Sequence, residues 1–184
     1  MNVYFDNAAT TSIRKEVIDK MSFVMKEAYG NPSSTHSFGR KSKSYLENAR
    51  KSIASILNAE PKEIIFTSGG TESDNMIIQR AVLDLNIKTI ISSPIEHHAV
   101  IHAIENLDNI KYNNVLLTKD GSVDLEHLEK LLIENSDLKL VSLMHVNNEI
   151  GNILDLKKVG ELCKNNNAYF HTDAVQGIGH FEID

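Results

Sequence analysis

Cysteine occurs once, at Cys163, so the chain cannot form an intramolecular disulfide and fits a reducing compartment. Long apolar runs are also missing. None approaches the roughly 18 residues of a membrane span, and the N-terminus carries no signal-peptide pattern, so a cytoplasmic protein with no membrane partner is expected. Nor is there an excess of positive charge: the formal net charge is −6 over 184 residues. With lysines and arginines scattered along the chain, a nucleic-acid binder working through a broad basic surface is disfavoured. The one locally basic stretch, Arg40-Lys41-Ser42-Lys43, reads as the solvated face of a helix. What is present, 41% apolar and 24% charged residues, is the balance of a soluble globular protein with a sizeable core.

The stretch Glu63–Asn75 changes character within a few residues. Ile64-Ile65-Phe66 has the β-branched and aromatic composition of a buried strand. In Ser68-Gly69-Gly70 the glycines allow positive φ and a close approach of backbone to ligand, and Thr71 with Asp74 three residues on fits a helix start. A helix follows, with Met76, Ile77, Ala81 and Leu85 at roughly helical spacing. A strand, a glycine turn and a helix start present free N–H groups and the positive end of a macrodipole, which suits a phosphate. The spacing matches neither a P-loop nor G-x-G-x-x-G, so an ordinary βα turn remains an alternative on these residues alone.

Before it, residues 1–12 read as an extended arm, and 13–184 as one layered region. Apolar residues from Ile13 to Ala28 predict a helix, stopped by Gly30-Asn31-Pro32. A second helix ends near Asn58. The polar loop Asn31–His36, like Asn7, either approaches a substrate or braces its own turn. After the opening stretch, strands at 89–91, 112–117, 140–144 and 168–170 alternate with helices, the second of these helices capped by Asp124 and the last carrying Leu156, Val159 and Leu162. Such alternation predicts an α/β fold with a mainly parallel sheet, whose ligands bind at the carboxyl ends of the strands. Those ends run into polar clusters: Thr67–Ser73, then Ser92–His98, then His145–Glu149, then His171–Gln176.

A phosphate at a helix start, a carboxylate, a histidine and amide side chains on strand ends suit a phosphorylated, flat, heteroaromatic cofactor. Pyridoxal phosphate needs a carboxylate against its ring nitrogen, and Asp173 is placed for that task. His97 has the flat side chain to stack on the ring, and Asn148 and Gln176 the donors for its phenolic oxygen.

Six segments carry a family resemblance: Asp6–Thr11, Gly30–Ser34, Phe66–Ser73, Glu96-His97, Met144–Gly151 and His171–Gln176. In order and over essentially the whole chain, they resemble the cysteine desulfurases of the NifS/IscS type, within the class-V aminotransferases. The resemblance implies the large domain of fold type I of the PLP-dependent transferases. It implies pyridoxal phosphate as cofactor, held by Gly70 and Thr71 at the phosphate, by His97 on the ring (a catalytic as well as a cofactor-binding residue), by Asn148 and Gln176 at the phenolic oxygen and by Asp173 at the ring nitrogen. It implies sulfur removal from L-cysteine to give alanine and an enzyme persulfide, a homodimer, and transfer of sulfur to an acceptor or iron–sulfur scaffold protein. The chain departs from the family pattern with Gly at 70, where many members have Ala, and Val at 175, where some have Thr.

The family's Schiff-base lysine, in a Ser-x-His-Lys context, its cysteine loop and its substrate-carboxylate arginine are not found in the sequence. The chain is therefore expected to be incomplete at its C-terminus and inactive alone. Alternatives are a selenocysteine lyase, an isopenicillin epimerase-like protein or an aminotransferase on the same fold, and a non-catalytic truncated product. Cys163 sits among Leu156, Val159 and Leu162 and reads as a buried core residue rather than a nucleophile. His98 and His102 share a helical spacing without a third ligand nearby, so no metal is expected.

Overall fold

In the computed structural model, which describes residues 1–183, two compact units are formed, one by Met1–Phe66 with Ile183 and one by Thr67–Glu182. The first contains helix α1 (Lys15–Glu27), helix α2 (Ser37–Ile56) and a 3-10 turn, Pro61–Glu63. Helix α1 buries none of its residues, and Val17, Met21 and Phe23 on it are exposed. Its C-terminal end is tied to α2, where Ser42 Oγ donates to Ala28 O at 2.8 Å and Lys41 pairs with Glu27 at 2.9 Å. The loop between the helices is braced by its own groups: Asn31 Oδ1 accepts from Ser33 N at 2.9 Å, and His36 caps α2 by accepting from Gly39 N. Gly39 is required there, since a Cβ would stand 2.3 Å from Ser34 O.

The strand expected at Ile64–Phe66 is not formed. The segment is irregular, with Ile65 66% and Phe66 46% exposed. A strand is made by its ladder partner and not by composition alone. Here the carbonyl of Ile64 accepts from the Arg50 guanidinium instead, and that guanidinium lies 4.9 Å from the Phe66 ring centroid.

In the second unit, helix α3 (Gly70–Leu85) leads to four parallel strands, β1 (Thr89–Ser92), β2 (Lys111–Asn114), β3 (Lys139–Ser142) and β4 (Ala168–His171). They are joined by α4 (His98–Glu105), α5 (Leu125–Ile133) and α6 (Leu156–Asn165). Asp124 caps α5 as expected, accepting from His127 N at 3.0 Å. The β1 and β3 runs are buried on both faces, and successive residues serve opposite layers. Ile90 and Leu140 pack with Ile78, Ala81, Val100 and Ile104 of α3 and α4. Ile91 and Val141 pack with Leu128, Leu132, Val159 and Cys163 of α5 and α6. Burial pushes the Cys163 thiol up to about 12, so it stays protonated and serves as core.

The strand order is β2-β1-β3-β4. From β1 the chain moves outward one way to β2, then crosses back to place β3 on the other side of β1. The direction of winding therefore reverses between β1 and β3, and in open α/β sheets the crevice outside the carboxyl ends at such a reversal is where ligands bind. Among the described residues, no helix is long and apolar enough to cross a membrane.

Candidate active site

The crevice is bordered by the segments that leave the carboxyl ends of β1 and β3. After Ser92 the chain runs through Ser93 and Glu96 to His97, the N-cap of α4, whose Nδ1 accepts from Ala99 N at 3.1 Å. With Nδ1 so occupied, Nε2 carries the proton of the neutral ring. After Ser142 the chain forms a turn containing His145, Asn147 and the half-buried Asn148, whose Nδ2 donates to Glu149 Oε1 at 2.7 Å. After β4, Asp173 Oδ1 accepts from Val175 N at 2.9 Å, and the Asp173 carbonyl accepts from His145 N at 2.9 Å, which ties this loop to the β3 exit. Gln176 lies half-buried in the same loop.

The start of α3 closes the group. Its first turn leaves backbone N–H groups without intrahelical acceptors, and a Cβ placed on Gly69 would meet nothing within 4 Å. A Cβ on Gly70 would come within 3.2 Å of Val175 Cγ2, so the helix start packs directly on the loop that carries Asp173. Two sequence expectations about this segment need correction. Gly69, with φ 165°, is extended, and Gly70 is not among the positive-φ residues, so what Gly70 supplies is close approach. No side chain caps α3 by the Thr71–Asp74 pattern. Glu72 closes the turn instead, accepting from Ser68 N and Ser68 Oγ, both at 2.6 Å.

Asp74 turns inward from the helix, on the same stripe as Ile78 and Ala81, and its Oδ1 stands 3.6 Å from His171 Nε2. His171 Nδ1 is 2.9 Å from Ser142 Oγ, a buried contact between β4 and β3. Burial, and then Asp173, push the Asp74 carboxyl up to about 6, with His97 opposing. Glu96 is pushed up to about 7, first by burial and further by Asp173 and Asp74, against the hydrogen bonds from Ser93 and Met144. Two buried carboxyls, Asp74 and Glu96, thus lie within electrostatic reach of the half-buried Asp173, a setting that favours a cation brought among them. His97, Gly70, Thr71, Asn148, Asp173 and Gln176 all lie on the segments that border this crevice. Asp74, Glu96, Ser93 and Asn147 were not among the site residues expected from the sequence, although Ser93, Glu96 and Asn147 fall in the polar clusters read at the strand ends and Asp74 in the helix-start pattern.

The raised carboxyls make stability depend on pH. In the unfolded chain they ionise near pH 4, whereas the folded groups keep their protons to about 6 and 7. Their stabilising contribution is full below the unfolded values and is lost as pH rises through the folded ones, on the order of 3 kcal/mol for Glu96. His145 and His171, held below the ordinary imidazole range by burial, act in the opposite sense just under pH 6.5. The comparison of Glu96→Gln with the parent isolates the carboxyl: the urea midpoint of the parent should fall more between pH 5 and pH 8 than that of the variant. Parallel curves would rule the assignment out.

Residues 3–184 match the model of the aminotransferase class-V family. The chain belongs to that family. Class-V relatives include a cysteine desulfurase IscS of Methanosarcina thermophila, 47% identical, and another of Dictyoglomus turgidum, 45% identical, each matched over 99% of this chain. A solved NifS-like protein, 39% identical, superposes over 100% of the chain with a TM-score of 0.94. The chain spans about half the length of the curated relatives it matches, 47% and 46%, and 52% of that solved structure. The class-V fold is the α/β fold with a parallel sheet expected from the sequence, and the IscS and NifS-like relatives are pyridoxal-phosphate enzymes.

The residues present fit that cofactor. Its phosphate is an anion and the α3 start offers amide donors; its protonated ring nitrogen is a cation and the loop after β4 offers a carboxylate within a cluster already short of positive charge.

Proposed function

We propose that the protein carrying this chain is a pyridoxal-phosphate-dependent cysteine desulfurase, taking sulfur from L-cysteine and leaving alanine. The observation that supports this reading is the packing of the α3 start on the Asp173 loop at Gly70 and Val175, with the unpaired amides of a helix start beside a loop that bears a carboxylate. Bound pyridoxal phosphate would supply the electron sink for removal of a proton from the substrate's α-carbon.

The chain's own residues then have distinct tasks. Amides at Gly70 and Thr71 hold the phosphate, and the Asp173 carboxylate keeps the ring nitrogen protonated. His97 covers the ring face and keeps Nε2 available to hold or pass a proton, since Nδ1 is engaged by Ala99 N. Asn148 and Gln176 orient the ring through its phenolic oxygen. A homodimer, a sulfur-accepting partner protein and a cytoplasmic location belong to the same reading.

The test is a turnover assay of the protein with pyridoxal phosphate, L-cysteine and a thiol reductant. Alanine and sulfide should appear in equal amounts. Formation of neither, or a product retaining the cysteine sulfur, would overturn the reading.

A further inference from the structure

The two sides of the crevice are fastened to each other by two buried side chains that cross it in opposite directions. From the β1 side, Glu96 reaches over so that its Oε1 accepts from Met144 N, at the β3 exit, at 3.1 Å, while Ser93 Oγ donates to the same oxygen at 2.6 Å. From the β3 side, Asn147 reaches back, its Nδ2 donating to Ile95 O at 2.8 Å. The Asn147 Oδ1 accepts from Glu149 N at 2.8 Å and Ile150 N at 3.0 Å and so shapes its own turn. Both side chains belong to residues only 7% and 5% exposed.

The sequence neighbours of this pair are the notable part. Glu96 immediately precedes His97, and Asn147 immediately precedes Asn148. We propose that Glu96 and Asn147 are reciprocal positioning residues, each fastening the segment that carries one cofactor contact to the segment that carries the other, so that His97 and Asn148 are held as a single rigid pair. This deepens the functional reading above and rests on it for the roles of His97 and Asn148.

The arrangement has a cost that a purely structural clasp could avoid. Glu96 Oε2 is buried without a hydrogen-bond partner, a position an apolar residue would fill more cheaply. What an apolar residue cannot do is accept from Met144 N, whose strand has just ended. The reach also matters: aspartate is one methylene shorter and would not span to Met144, whereas glutamine preserves both length and the accepting oxygen. For Asn147, aspartate keeps the oxygen that shapes the turn and removes the donor to Ile95 O.

The experiment is residue-resolved amide hydrogen exchange on the protein at pH 6, with Glu96→Gln, Glu96→Asp and Asn147→Asp, and with Leu128→Ala as a destabilised control in the α5 layer. Loss of either cross-tie should speed exchange about tenfold on both sides at once, at 95–99 and at 144–151, as expected for the loss of one buried hydrogen bond. Glu96→Gln should stay within about twofold of the parent at both places. Exchange that rises only on the substituted side, or that rises evenly over the four strands as in the Leu128→Ala control, would overturn the proposal. Pyridoxal phosphate affinity of the parent is measured separately. Failure to bind would remove the functional reading and leave the exchange result to decide the mechanical one.

Discussion

Replacing Asp173 by asparagine is expected to lower turnover with L-cysteine by roughly a hundredfold or more, the scale of losing one preorganised charge in an active site, without loss of stability at pH 7. Asparagine keeps the oxygen that accepts from Val175 N at 2.9 Å, so the turn after β4 survives. It removes the charge that would hold a proton on the cofactor's ring nitrogen. It also relieves a repulsion, because Asp173 is one of the groups that push Asp74 and Glu96 upward. With that charge gone, both carboxyls ionise at lower pH and the stability lost toward neutrality shrinks. Steady-state kinetics and urea unfolding on the same samples test the two halves together. An activity within a few-fold of the parent would dismiss the assigned role, and an unfolded variant would dismiss the account of the charges.

Gly177→Ala should be the most damaging small substitution in the loop. A Cβ there would lie 2.2 Å from His145 Nδ1 and 2.9 Å from its Cε1, well inside contact distance. His145 has little room to yield: it is buried, its ring meets Phe181 edge-on at 5.3 Å between centroids, and its backbone N–H holds the Asp173 carbonyl. Overpacking of this kind costs about 1–3 kcal/mol, and here the strain passes straight to the loop that carries the carboxylate. Thermal unfolding should show the loss, and cofactor affinity should fall with it. The double variant Gly177→Ala with His145→Ala should recover most of the stability, because the clashing ring is gone. If the double variant is no better than Gly177→Ala alone, the clash is not with His145.

Local patterns made much of this architecture readable. Ile90-Ile91 and Leu140-Val141 are apolar on consecutive positions because parallel strands are covered on both faces, and Asp124 announces α5 by its position before a helical apolar stripe. The polar clusters after β1, β3 and β4 pointed to one edge of the sheet, and the structure puts them there. Ile64–Phe66 misled because composition records what a strand prefers but not whether a neighbour is there to pair with it. Asp74 misled because a carboxylate in a first turn has two uses, capping and facing inward, and only the packing of α3 selects one. The reversal between β1 and β3, and the Glu96 and Asn147 ties across it, depend on residues some 50 positions apart in sequence. No window of local periodicity can reveal them.

The strand order also separates local contacts from distant ones. Strand β1 meets β2 through the α4 crossover, a comparatively local closure, but its other edge waits for β3, which must return past α5. The β1-α4-β2 unit by itself holds only one wall of the crevice. The site is therefore complete only when contacts distant in sequence have been made, and a ligand bound there stabilises the finished sheet.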